Sequence, residues 1–88
     1  MKITIKSNFN QNETHLETQS TTLGALLDEL RNNIKFNVFD SEHREVYPDC
    51  DVFLNGQPYQ ALADGLDTKL KDGDKIEISM LMFMLGGG

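Results

Sequence analysis

Few residues in this sequence have the type and placement to do chemistry, and the most telling stand at its end. Met80-Leu81-Met82-Phe83-Met84-Leu85 runs into Gly86-Gly87-Gly88, an apolar stretch followed by bare glycines with no polar residue after them. Glycine has no Cβ, so such an end can pass through a channel too narrow for any other residue and adopt backbone angles closed to them. The group left to react is the terminal carboxyl group of Gly88. An α-carboxyl group ordinarily titrates at about 3.3–3.7, so at neutral pH it is a carboxylate, a poor electrophile until something activates it. A free apolar tail is also an aggregation risk, and cover by a partner or by self-association is expected.

The remaining chemistry-bearing residues form no constellation. Cys50 is the single cysteine, which excludes an internal disulfide and the four thiolates of an iron–sulfur cluster. Only His43 and Arg44 lie near it in sequence to lower its pKa, so it reads as a partly buried bystander. His15 and His43 lack companions at metal-ligand spacing. Asp49, Asp51, Asp64, Asp67, Asp72 and Asp74 do not fall in one calcium loop and suit turns and edges instead. No nucleophile–base pair or phosphate loop is visible. The expectation is a protein with no metal and no bound cofactor.

Composition narrows the partners. A chain of 88 residues with 39% hydrophobic and 25% charged residues supports one modest core. A net charge of −6 argues against a nucleic-acid surface, which needs a basic face, and favours a partner that offers positive charge. No stretch approaches the ~20 apolar residues of a membrane span. The opening Met1-Lys2-Ile3-Thr4-Ile5-Lys6 lacks the long apolar segment of a signal peptide, so a cytoplasmic location is expected.

The elements that must carry the tail follow from periodicity. Ile3 and Ile5 alternate with Lys2, Thr4 and Lys6 as in a strand with one buried face. Turn formers from Ser7 to Asn12 separate it from a weaker alternating run, Glu13–Thr18, whose poor apolarity suits an edge strand. Beyond the possible N-caps Ser20-Thr21-Thr22, Leu23, Leu26, Leu27, Leu30 and Ile34 form one helical stripe. Asp28, Glu29 and Arg31 are left on the solvent side, and Asn32-Asn33 is a plausible stop. Phe36, Val38, Val46 and Tyr47 are scattered through a polar loop that has room only for short strands.

Asp51-Val52-Phe53-Leu54 is a compact strand ended by Asn55-Gly56, which favours a type I′ turn, and Pro58 belongs at a strand start or edge. Asp64–Thr68 reads as irregular connection and Leu70–Asp74 as a second tight turn. In Lys75–Met80, Ile76, Ile78 and Met80 point inward and Lys75, Glu77 and Ser79 outward. The alternation fails at Leu81, where the strand becomes central, buried on both faces, or leaves the sheet. The order predicts an α+β domain of one sheet with one helix across it.

That order, with Val52-Phe53-Leu54-Asn55-Gly56-Gln57, Leu70-Lys71-Asp72-Gly73-Asp74-Lys75-Ile76-Glu77-Ile78 and the terminal glycines, resembles the ubiquitin-like β-grasp sulfur carriers. These are the small subunit of molybdopterin synthase and the thiamine-pathway sulfur carrier. Length and the Gly65-Leu66-Asp67-Thr68 segment look closer to the molybdopterin-synthase type. The tail departs from the family habit of proline and valine before two glycines: it reads Met82-Phe83-Met84-Leu85 before three.

The resemblance implies a β-grasp fold with one mixed sheet, a domain over residues 1–85 and a glycine tail over 86–88 that is mobile in the free protein. It implies a protein co-substrate rather than an enzyme. An E1-like activating enzyme uses ATP to adenylate Gly88, beside its required neighbour Gly87, and the product becomes a thiocarboxylate for a large synthase subunit or another sulfur acceptor. Leu81, Phe83, Leu85 and Gly86 would enter the partner, and Phe53 would meet it on the sheet face. Methionines 80, 82 and 84 suit a surface that must fit more than one partner. Two other outcomes stay open: a ubiquitin-like modifier joined through the same glycine, and an interaction module whose glycines are incidental.

Overall fold

The structure is a computed structural model that describes residues 1–8, 10–33, 38–40 and 42–80. Strands β1 (Lys2–Ser7) and β2 (Asn10–Glu17) form the opening hairpin, and α1 (Leu23–Asn33) follows. Two-residue strands β3 (Phe39–Asp40) and β4 (Glu45–Val46) pair with each other in the loop region. Then come β5 (Cys50–Leu54), β6 (Gln57–Pro58) and β7 (Lys75–Met80). The main sheet runs β2-β1-β7-β5-β6. It is mixed, because β1 and β7 are parallel while β1–β2, β5–β7 and β5–β6 are antiparallel. One helix lies across one face of one sheet, as the element order predicts, and the arrangement is the ubiquitin-like β-grasp that the resemblance implies.

The helix lies on the sheet because its stripe does. Leu23, Leu26, Leu27 and Leu30 are at most 2% exposed and meet Ile3, Ile5, Val52, Ile76 and Ile78 in one core. Ile34, expected as the end of that stripe, and the side chain of Arg31, expected on the solvent side, lie outside the described residues. Of the possible caps the fold uses Thr22, whose Oγ1 accepts from the Ala25 amide at 3.2 Å. Ser20 turns elsewhere. Its hydroxyl and that of the buried Thr18 both donate to the Glu29 carboxylate. Glu29 is therefore half-buried, not turned to solvent as the helical wheel suggests, and Asp28 is half-buried as well. The 18–21 segment crosses over that side of the helix and supplies the donors.

The connection before β7 is more structured than its composition implies, with 3₁₀ turns at Tyr59–Ala61 and Gly65–Asp67. It is held to the helix start by Leu23 N–H donating to Thr68 O and Leu70 N–H donating to Thr21 O, both at 2.9 Å. Asn55 (φ 50°) and Gly56 (φ 88°) form the left-handed turn between β5 and β6. Asp74 ties that hairpin to the last turn, accepting from Lys71 N–H at 2.7 Å and from Asn55 Nδ2 at 3.0 Å. The effect is to fix the start of β7.

Candidate functional site at the root of the tail

β7 is the strand that hands the chain to the tail, and it is central in the sheet, bonded to β1 on one side and β5 on the other. Ile76, Ile78 and Met80 are buried on the helix side. Lys75, Glu77 and Ser79 face the other way, as the alternation requires. Its last residue, Met80, stands opposite Cys50. Gly86, Gly87 and Gly88, with Leu81, Phe83 and Leu85, lie outside the described residues, so the geometry of the site is that of its root.

At that root Asn8 holds both backbone groups of Met80. Its Oδ1 accepts from Met80 N–H at 2.9 Å and its Nδ2 donates to Met80 O at 3.0 Å. Its own amide donates to Ile78 O at 3.3 Å. Beside it is a shallow depression of about 140 Å³ lined by Lys6, Ser7, Asn8, Glu77, Ile78 and Ser79. A larger one of about 230 Å³, lined by Lys2, His15, Leu16 and Glu17, sits at the far end of the β1–β2 hairpin, away from the tail. In the sequence Asn8 is one of several turn formers, and nothing local announces a partner 72 positions away.

Cys50 is 5% exposed, and burial together with Asp49 and Asp51 pushes its thiol up to about 11. A thiol so placed beside the tail root is a weak nucleophile at neutral pH. Phe53 lies on the open face of the sheet, half-buried, opposite Glu77 on β7 and Pro58 on β6. Asp40, Glu42 and His43 form the one grouping of three possible metal ligands among the described residues. They stand in a largely exposed turn, where Asp40 caps the amides of Glu42 and His43 and pairs with the His43 ring at 2.7 Å. That is turn chemistry.

The fold is that of a ubiquitin-like β-grasp protein whose last described strand is the central β7. The sequence profile of the ThiS family matches residues 4–87, and the chain belongs to that family. Sulfur carriers of this family are co-substrates of other enzymes rather than catalysts. No curated protein sequence matches the chain at a significant level.

Solved structures agree on the fold. The chain is similar to small archaeal modifier protein 1 (SAMP1) from Methanosarcina acetivorans, with 22% identity, a TM-score of 0.68, and coverage of 99% of this chain and 96% of that one. It is similar to a chain of the Amycolatopsis orientalis BexX/CysO complex, with 20% identity, a TM-score of 0.67, and coverage of 98% and 99%. A protein assigned as molybdopterin converting factor, subunit 1, from Pyrococcus furiosus is 23% identical, with a TM-score of 0.61 and coverage of 90% and 95%. Among the described residues, no helix is long and apolar enough to cross a membrane.

Proposed function

We propose that the protein is a cytoplasmic sulfur carrier of the molybdopterin-synthase small-subunit type. The observation that supports a sulfur carrier is the family match, which runs through the body and into the glycines as far as Gly87; the molybdopterin type is favoured by the likeness to the Pyrococcus furiosus protein. The Gly88 carboxylate attacks the α-phosphorus of ATP in an activating enzyme of E1 type, the bond to the β,γ-diphosphate breaks, and pyrophosphate leaves. Hydrosulfide then attacks the acyl carbon of the mixed anhydride, the bond to AMP breaks, and the thioacid loses its proton to give a thiocarboxylate. A persulfide can serve in its place if a second thiol reduces the acyl disulfide it forms. Nothing in this sequence of steps needs a base, metal or cofactor on the carrier. Positioning and charge stabilisation belong to the activating enzyme.

The carrier's task is reach. The eight residues from Leu81 to Gly88 span at most about 26–29 Å when extended, enough to enter a deep site from a docked body. Burying Leu81, Phe83 and Leu85 in the partner contributes roughly 1.5–3 kcal/mol per side chain, offset in part by ordering the chain. Gly86 and Gly87 thread the narrow part, and Phe53 meets the partner on the open face. The thiocarboxylate is then delivered to a large synthase subunit.

The test is intact-mass analysis after incubation with ATP, a sulfur source and the activating enzymes of the source organism. One oxygen should be replaced by sulfur, and removal of Gly87 and Gly88 should abolish the change. No mass gain with any of those enzymes would sink the reading. A second reading, a ubiquitin-like modifier, is favoured by the likeness to an archaeal modifier protein. It shares the adenylation step and predicts lysine-linked adducts in cells that disappear when Gly88 is deleted.

A further inference from the structure

We infer that Asn8 is the positioning residue of the tail: its carboxamide completes the last rung of the sheet and fixes the point from which residue 81 departs. The role rests on the carrier reading above. The geometry follows from strand parity. Asn55 N–H donates to Lys75 O at 2.8 Å, which makes 55 and 75 a hydrogen-bonded pair. In an antiparallel ladder such pairs alternate with unbonded ones. Asp51–Ser79 and Phe53–Glu77 are then bonded pairs, and Cys50–Met80 is not. The N–H and C=O of Met80 therefore point away from β5, toward the β1 side.

On that side the parallel ladder stops one residue too soon. Its pairing ends at Ser7–Ile78, and the Asn8 amide takes Ile78 O. The next rung would bring β1 backbone to Met80, but the chain is already turning into β2, which begins at Asn10. Both Met80 groups go instead to the one side chain, which offers an acceptor and a donor in the spacing of a peptide group. Without it neither group has a partner among the described residues, and the last backbone bonds holding the end of β7 are those of the Asp51–Ser79 pair and of the Asn8 amide to Ile78 O. The origin of the tail then shifts, and where the tail is threaded into a docked partner, as in the carrier reading, that shift changes how far Gly88 reaches.

The proposal separates positioning from folding. Asn8→Ala should speed hydrogen exchange at the Met80 amide by about 5–160-fold, the effect of losing two net hydrogen bonds. With the activating enzyme that modifies the wild-type chain, kcat should fall at least about threefold while KM stays within about twofold, because the docking body is unchanged and the reacting carboxylate is misplaced. Thr18→Val, which loses the bond to Glu29 at the opposite end of the hairpin, is the control for lost stability and should leave kcat unchanged. Both variants are assayed at a temperature where circular dichroism shows them folded.

If the wild-type chain gains sulfur and Asn8→Ala matches it in kcat, the proposal is overturned and the carrier reading stands. Equal losses in Asn8→Ala and Thr18→Val would also overturn it, since stability alone would explain them. If the wild-type chain gains no sulfur, the carrier reading fails and the role of Asn8 falls with it.

Discussion

Cys50 should be among the slowest thiols to alkylate in a folded protein of this size, and its pH dependence should show why. Its thiol is pushed up to about 11, against about 8.5 for a free cysteine. At pH 8 about one in a thousand molecules then carries a thiolate, against about one in four for the unfolded chain, a loss of about 240-fold. Part of this is recovered, because a more basic thiolate is a better nucleophile. With a Brønsted slope of about 0.4–0.5 the gain is about 10–18-fold. Ionisation alone thus slows the native reaction by about 15–25-fold, and an exposure of 5% slows it further.

The assay is iodoacetamide labelling of native and urea-unfolded protein from pH 7.5 to 10. The unfolded rate should level off near pH 8.5, and the native rate should keep rising about tenfold per pH unit. Opening before reaction gives the same slope, because the closed form keeps its proton until its own pKa is reached. The sign for stability follows: folded Cys50 holds its proton where the unfolded chain loses it, so stability is full below about 8.5 and declines as pH rises toward 11. A native rate within about fivefold of the unfolded one at pH 8, or a plateau near pH 8.5, would mean that the folded thiol ionises like a free cysteine.

Ile78→Ala removes a side chain 1% exposed in the central strand and should cost about 2–5 kcal/mol, lowering the melting temperature by about 10 °C or more. Gly73 has φ 90° with nothing within 4 Å of where a Cβ would stand, so Gly73→Ala should cost about 1–2 kcal/mol through backbone strain alone. Its test is urea denaturation against Lys71→Ala, which should be near neutral. The Asp40 side chain accepts from the His43 ring, which raises the His43 pKa and lowers that of Asp40. The pair therefore contributes stability between those two values and loses it above the raised His43 pKa and below the lowered Asp40 pKa. NMR titration should show the His43 pKa fall toward 6.5 in Asp40→Asn.

The sequence makes some of this legible because one interaction dominates locally. Ile76, Ile78 and Met80 alternate because a single helix covers one face of β7, and the leucine stripe of α1 is its counterpart. Asn55-Gly56 announces its turn because both residues must take positive φ. Where the deciding contact is distant, the signal vanishes. Glu29 looks solvated until Thr18 and Ser20 cross it, and Asn8 looks like turn filler until Met80 arrives. Strands β3 and β4 are two residues each, too short for any period to show. The expected roles of the residues from Leu81 to Gly88 fall outside the described part of the chain.

The placement of charge bears on how the body meets its partner. Register puts Lys2, Lys6 and Lys75 on the open face of the sheet with Glu13, Glu17, Asp51 and Glu77, so that face is close to neutral. Most of the net −6 therefore lies elsewhere, with carboxylates such as Glu42, Glu45, Asp49, Asp64 and Asp67 exposed outside the sheet face. The overall charge can attract a basic partner from a distance, and that attraction is screened beyond about 10 Å at 0.1 M salt. Contacts made by the open face itself are short-ranged and mixed in sign. If the body docks by that face, raising salt should slow association and leave dissociation nearly unchanged. Stopped-flow binding between 0.05 and 0.5 M salt distinguishes the cases. A dissociation rate that rises steeply with salt would place the contact on the acidic loops instead of the sheet.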